Sequence, residues 1–244
     1  MTGLAPHGHL DRYYKTSDTR QSEVDAMFDD SASYYDRVTQ WMSFGSGSWY
    51  RRDALRRAGV AAGATVLDTG AGTGAVTLPL QQLVGNTGFV VALDPSAGML
   101  IEGESRGIKV PVRGVGEALP FPDATFDFVT MGYALRHVSD LKLAFAEYRR
   151  VLKPGGKVVL LEITRPQNAF GLAMLKGYMR HVVPTIAGLF SRNLSVRKVM
   201  EYYWDTIEAC VPPEAVLDAL GEVGFDTPNR HRVLGIFSEY SALK

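Results

Sequence analysis

The sequence predicts an α/β fold, a doubly wound parallel sheet, on three observations. Short, nearly continuous apolar runs recur; helical stretches separate them; and a glycine-dense loop follows the first run directly. Strands apolar at successive positions are buried on both faces, and helical connections between them make the sheet parallel. Thr65-Val66-Leu67 is the first strand, and Ala75 to Val84 a helix with Leu78, Leu80 and Leu83 turned inward. Phe89 to Leu93 is the second strand, followed by a helix start at Pro95-Ser96 that carries apolar Met99 and Leu100. A third strand is expected around Ile108 to Val112, a fourth at Phe126 to Met131, a helix from about Asp140 to Leu152, and a fifth strand at Lys157 to Leu161. Further on, Pro213 to Gly224 is a helix and Arg232 to Tyr240 a strand that closes the sheet antiparallel.

Two segments fall outside this alternation. Gln21 to Gly59 has Val24, Met27 and Phe28 at helical spacing, then a bend through Ser43-Phe44-Gly45-Ser46-Gly47, and is expected to cap the sheet. Asn168 to Thr206 has Met174, Tyr178 and Val182 at helical spacing with a break at Pro184, and is expected to form a lid. Residues 1–20 are polar, lack the apolar stretch of a secretion signal, and are expected to be a flexible tail. The organisation is then one domain over 21–244, with a cap at 21–59 and a lid insertion at 168–206.

Composition narrows the partners. The 244 residues carry 26 Lys+Arg and 26 Asp+Glu, a formal charge of zero, without the basic surplus that displaces counterions from nucleic acid. A small molecule is the expected partner. The one cysteine, Cys210, cannot form an internal disulfide or a cysteine-based zinc site, which suits a reducing cytoplasm; no metal is expected, since His181 and His231 have no second ligand at metal spacing. The 25 residues from Thr69 to Leu93 are uncharged, enough to span a bilayer by count, but five glycines, Pro79, Gln81, Gln82 and Asn86 would be poorly served in lipid. Peripheral contact with a membrane surface and a homodimer both stay open.

The densest signal is Val66-Leu67-Asp68-Thr69-Gly70-Ala71-Gly72-Thr73-Gly74. Glycines at alternate positions after a strand allow a tight turn and bring a ligand against bare backbone. The dinucleotide fingerprint G-x-G-x-x-G is disfavoured, because the third glycine follows the second by two positions rather than three. Asp94, twenty residues after Gly74, ends the second strand, where a carboxylate can accept both hydroxyls of a ribose, whether of NAD or of an adenosyl ligand. Asp68 either orients the loop or takes an ammonium group.

Three further motifs follow in order: Glu117-Ala118-Leu119-Pro120-Phe121-Pro122-Asp123 with Phe126-Asp127, then Arg150-Val151-Leu152-Lys153-Pro154-Gly155-Gly156. With the glycine loop, this series resembles the class I S-adenosylmethionine-dependent methyltransferases, whose Rossmann-like sheet has about seven strands. Met27-Phe28-Asp29, Tyr35-Asp36, Met42-Ser43-Phe44-Gly45 and Leu135-Arg136-His137-Val138 resemble, more narrowly, the ubiquinone/menaquinone biosynthesis C-methyltransferase family. The resemblance runs from about residue 23 to 210. It implies S-adenosylmethionine as cofactor, with Gly70, Gly72 and Gly74 along its methionine and ribose side, Asp94 and Pro95 at the ribose, and Met99 near the adenine. It also places Asp68 near the methionyl amine and Tyr133 beside the methionyl portion. Many relatives have Asp or Asn where this chain has Val115, so the adenine edge is left to backbone groups of Gly116, Glu117 and Ala118.

The implied reaction is methyl transfer to a small, largely apolar, even lipophilic acceptor, with ring C-methylation of a quinone-precursor-like phenol or naphthol foremost. Such an in-line displacement requires an electron-rich atom held opposite the sulfur with water excluded. His137 titrates in the useful range and is the expected base. Arg136 stays protonated, so it stabilises a phenolate or orients a water; Tyr35 is expected to face the acceptor. The family's asparagine after the arginine is His137 here, and its Tyr-Asp-x-x-Asn-Asp is Tyr35-Asp36-Arg37-Val38-Thr39-Gln40. These departures leave room for C- or O-methylation of a polyketide or phenolic of specialised metabolism, or for a chain that binds the cofactor without transferring methyl, such as a cyclase.

Overall fold

The computed structural model describes residues 3–16, 20, 22–29, 46–185 and 194–244. One sheet contains seven strands: β1 (Thr65–Thr69), β2 (Phe89–Asp94), β3 (Pro111–Arg113), β4 (Phe126–Gly132), β5 (Leu152–Ile163), β6 (Asp226–Val233) and β7 (Phe237–Leu243). Their order is β3-β2-β1-β4-β5-β7-β6. The first five are parallel, and β7 runs antiparallel to both β5 and β6. Strand order therefore reverses between β1 and β4, and a crevice opens beyond their carboxyl ends, the place where such sheets bind ligands.

The helices are α1 (residues 22–29), α2 (Ser46–Ala58), α3 (Thr77–Val84), α4 (Ala97–Ser105), α5 (Leu141–Val151), α6 (Ala169–Gly177), α7 (Leu194–Ala209) and α8 (Pro213–Glu222). Successive strand residues point to opposite faces, and both faces are apolar. Leu67, Val91, Val129 and Val158 pack with Phe145 and Tyr148 of α5 and Leu220 of α8, while Val66, Val90 and Val159 pack with Leu55 of α2 and Leu80 of α3. Helix starts are fixed by side chains at strand ends. The Ser96 hydroxyl accepts from the Met99 N–H, and the Asp140 carboxylate accepts from the Lys142 and Leu143 N–H groups.

Four expectations need correction. The third strand is shorter than Ile108 to Val112, because Ile108 turns away to end α4: its N–H donates to Gly103 O at 3.0 Å and its side chain packs against Ala71 and Leu78. Arg232 to Tyr240 is not one strand but spans a hairpin, with β6 and β7 joined through Leu234 (φ +53°) and Gly235 (φ +74°). The expected loose tail is laid down, for its described residues, on the body: Leu141 N–H donates to Leu4 O at 2.9 Å, Val211 N–H to Pro6 O at 2.8 Å, and Tyr13 Oη to Asp205 at 2.6 Å. Tyr13 and Tyr14 are its buried anchors.

The fourth correction concerns the lid. Met174 is 62% exposed and Val182 43%, whereas Leu172, Leu175, Met179 and Val183 pack inward against Val199, Tyr202 and Trp204. That competing stripe has equally good helical spacing, and a π-helical turn at Tyr178–Val182 shifts the register after α6. Pro184 lies in a helical turn, and the residues after 185 up to 193 lie outside the described ones.

Candidate active site

The site is built where β1, β2 and β4 end. After β1 the chain turns through Gly70 (φ +63°) and Gly72 (φ +54°). A Cβ on Gly70 would stand 2.4 Å from the Ala134 Cβ, so this loop closes directly on the loop after β4. Gly72 has nothing within 4 Å of where its Cβ would be, which leaves an open cradle beside bare backbone.

Asp94 ends β2 beside that cradle. Its Oδ2 accepts from the Gly72 N–H at 2.8 Å and its Oδ1 from the Ser96 N–H at 2.9 Å. An ionised carboxylate has about four lone-pair positions, so two remain for a ligand. Burial pushes the Asp94 carboxyl up to about 6; the Gly72 and Ser96 N–H donors pull it down, and the carboxylates of Asp25 and Asp29 add to the rise.

The crevice holds about 790 Å³ of non-atom space, solvent at its mouth included. On the β2 side it is lined by Gly70, Gly72, Asp94, Pro95, Ser96 and Met99, with Val115, Gly116 and Glu117 beyond. On the β4 side the walls are Met131, Gly132, Tyr133, Ala134, His137 and Val138, and α1 closes it with Val24, Asp25 and Phe28. A carboxylate with two lone pairs left over and an open glycine cradle, with apolar Met99 and Val115 among the lining residues, are chemically suited to an adenosyl ligand.

Tyr133 holds a backbone conformation that bulky residues rarely adopt, at φ +62°, and its N–H donates to Leu161 O at 2.7 Å. Such strain is retained where the surroundings enforce it, commonly at functional sites. His137 lies on the short turn Leu135–His137. Its Nδ1 is 3.2 Å from Tyr202 Oη, its ring stacks on Tyr202 at 5.4 Å, and Phe28 meets it edge-on at 5.2 Å. Burial, with Arg136, His7 and Arg20 nearby, holds the His137 imidazole well below its usual range, so it is neutral at pH 7.

Of the residues expected from the sequence, Gly70, Gly72, Asp94, Pro95, Met99, Gly116, Glu117, Tyr133 and His137 line this cavity. Asp68 does not. It is buried beneath the loop, where Oδ1 accepts from Thr130 Oγ1 at 2.7 Å and Oδ2 from Thr77 Oγ1 at 2.6 Å, and burial raises its carboxyl to about 7. Gly74 instead packs against Ile108 and Leu78, and Ala118 bridges back to Val115.

The Arg136 side chain is also outside the cavity. Its Nε donates to Glu162 at 3.1 Å, its Nη1 to Thr206 Oγ1 at 2.7 Å, and its guanidinium covers the Tyr203 ring, all fully buried. Tyr35, Thr39 and Gln40 lie outside the described residues. The wall from α1 was legible as a helix expected to cap the sheet, through the spacing of Val24, Met27 and Phe28, but its residues carried no assigned part in the site; Ser96 was legible as a helix start but not as a cavity residue. Among the described residues no segment from 168 to 206 lines the cavity; the lid reaches it only through Tyr202 behind His137.

Known proteins resemble this chain in sequence and in fold. The model of the ubiE/COQ5 methyltransferase family matches residues 15–243. A ubiquinone/menaquinone biosynthesis C-methyltransferase UbiE of Geobacter sulfurreducens is 34% identical over 226 residues, 89% of this chain and 87% of that protein. A demethylmenaquinone methyltransferase of Anoxybacillus flavithermus is 35% identical over 192 residues, covering 76% and 79%. Among solved structures, a SAM-dependent methyltransferase from Aquifex aeolicus has the same fold at TM-score 0.59 and 20% identity, covering 79% of this chain and 88% of that one. A phosphoethanolamine N-methyltransferase of Haemonchus contortus, in complex with S-adenosyl-L-methionine, aligns at TM-score 0.62 and 15% identity over 93% of this chain and 58% of its own.

Proposed function

Because this chain belongs to the ubiE/COQ5 methyltransferase family, matched over residues 15–243, we propose that its acceptor is a ring carbon of a quinone-precursor-like phenol or naphthol. It is an S-adenosylmethionine-dependent methyltransferase acting on a small molecule. The observation that carries the acceptor reading is the part of the cavity between the β4 side and α1, where neutral His137 stands with apolar Met131 and Val138 and with Phe28 of α1. That surface suits an aromatic ring with one hydroxyl to hold.

When bound, S-adenosylmethionine supplies an electrophilic methyl group on a cationic sulfur. Asp94 accepts from the ribose hydroxyls, Gly70 and Gly72 leave backbone bare beside the ribose and methionyl portion, and Met99 and Val115 flank the adenine. Tyr133 borders the methionyl side. With its Nδ1–H donating to Tyr202 Oη, the neutral His137 ring offers an unprotonated Nε2 to the acceptor hydroxyl, drawing charge into the ring at the carbon that takes the methyl. Its depressed basicity makes an imidazolium costly, so His137 takes the hydroxyl proton only as the ring carbon gains the methyl and then returns it to the oxygen, while the hydrogen displaced from that carbon leaves as a proton to solvent at the cavity mouth. Phe28, Met131 and Val138 exclude water. Arg136 acts as a positioning residue: Nη2 donates to the Tyr133 carbonyl at 3.3 Å and the same side chain fixes the turn that carries His137.

A compact phenolic of specialised metabolism is the second reading, favoured by the absence of any described residue of 168–206 from the cavity wall. Incubation with methyl-labelled cofactor and a panel of prenylated naphthols, prenylated phenols and compact phenolics separates the two. Label entering prenylated acceptors supports the first reading. Label confined to compact phenolics supports the second, and cofactor binding with no label in any acceptor would overturn both.

A further inference from the structure

We propose that Asp29, on α1, is a positioning residue for the cofactor, tying the cap helix to the residues that orient Asp94. Its Oδ1 accepts from the Gly98 N–H at 2.9 Å and from the Ser96 hydroxyl, two donors in the first turn of α4 and 67 and more residues away in sequence. Ser96 is the junction. Its Oγ accepts from the Met99 N–H at 3.0 Å, and its N–H donates to Asp94 Oδ1 at 2.9 Å. Asp94 Oδ2 then accepts from the Gly72 N–H at 2.8 Å. An unbroken series of hydrogen bonds therefore runs from the cap, through the ribose carboxylate, to the glycine cradle.

The same helix forms a wall of the cavity. Val24, Asp25 and Phe28 line it, and Phe28 meets His137 edge-on at 5.2 Å. Asp29 thus has two effects: it holds Ser96 in the orientation that aims Asp94, and it seats α1 across the cavity. Hydrogen bonds to an ionised acceptor are the stronger kind, but this one lies at the exposed rim, so its effect on affinity is expected to be severalfold rather than orders of magnitude. Gly98 supplies an independent probe. A Cβ there would stand 3.0 Å from Asp29 Oδ1 and 3.2 Å from its Cα, pressing α1 back, and Gly98 is outside the cavity wall.

The test titrates the full chain and its variants with S-adenosylhomocysteine by calorimetry and records the unliganded melting temperature of each. Asp29→Ala is expected to weaken binding about fivefold. Asp29→Asn, which keeps an oxygen acceptor, should recover most of that, and Gly98→Ala should weaken binding in the same direction as Asp29→Ala. Unliganded melting should stay within about 2 °C of the parent for Asp29→Asn and Gly98→Ala, since alanine in a helix otherwise favours folding. Parent-like affinity in both Asp29→Ala and Gly98→Ala would overturn the assignment; should Asp29→Ala fail to fold, Gly98→Ala alone decides. No acceptor is present in this titration, so failure of the acceptor reading above leaves its result untouched.

Discussion

At the scale of single residues, burial decides what each ionisable group can do. Asp94 carries a carboxyl raised to about 6 by burial and by its acidic neighbours, and in the proposed cofactor site it is the ionised form that would accept two ribose hydroxyls. Affinity for S-adenosylhomocysteine is therefore expected to be flat above pH 7 and to weaken by up to about tenfold per unit below pH 6, with proton release on binding near pH 6. Calorimetry in buffers of different ionisation enthalpy reads both. His137 is shifted well below its usual range by burial and by nearby Arg136, so an acid limb near 6 is assigned to the cofactor side. Arg136 makes the opposite lesson. Its sequence position beside His137 suggested chemistry, yet it sits in a fully buried pair with Glu162. Removing one partner of such a pair leaves the other charge stranded, and Arg136→Ala is expected to cost about 3–5 kcal/mol in denaturant unfolding. A loss under about 1 kcal/mol would contradict its structural place. The place of Asp94 in the crevice was legible, because an acid that ends the strand after a glycine loop falls beside that loop. The burial of Asp68 and Arg136 was not, because it depends on Thr130, Thr206 and Glu162, distant in sequence.

At the scale of elements, legibility followed burial on two faces. β1, β2, β4 and β5 are apolar at consecutive positions because helices cover both sides, and their presence was plain. β6 is an edge strand with a mostly exposed Asp-Thr-Pro-Asn-Arg-His-Arg-Val sequence, so no apolar pattern marks it. The turn after it was hidden as well. Leu234 takes φ +53°, a conformation that Asn or Gly normally supplies in a hairpin, and it is 84% exposed. Leu234→Asn is expected to stabilise the chain by about 0.5–1 kcal/mol, read as a raised melting temperature. No change would mean that the turn is not strained. In the lid, two apolar stripes of equal spacing compete, and only packing against α7 selects the one through Leu172, Leu175 and Met179.

At the scale of the whole molecule, one sheet reversal organises the function. β2 and β4 flank β1, so a carboxylate after one strand and an imidazole after the other line the same crevice from opposite sides of the glycine loop. The chain's formal charge of zero fits a partner that is a small molecule rather than a polyanion. No described helix is long and apolar enough to cross a membrane, and the uncharged run from Thr69 to Leu93 is the last residue of β1, the glycine loop, α3 with the turn after it, and all of β2 except Asp94. The proposed role of this crevice is to direct a methyl group to a ring carbon. Its most direct test is the carbon-13 spectrum of the product made from carbon-13-methyl S-adenosylmethionine and a prenylated naphthol or phenol. The expected result is one labelled methyl bonded to a ring carbon with the hydroxyl retained; a labelled methyl on oxygen, or no labelled product, would contradict it.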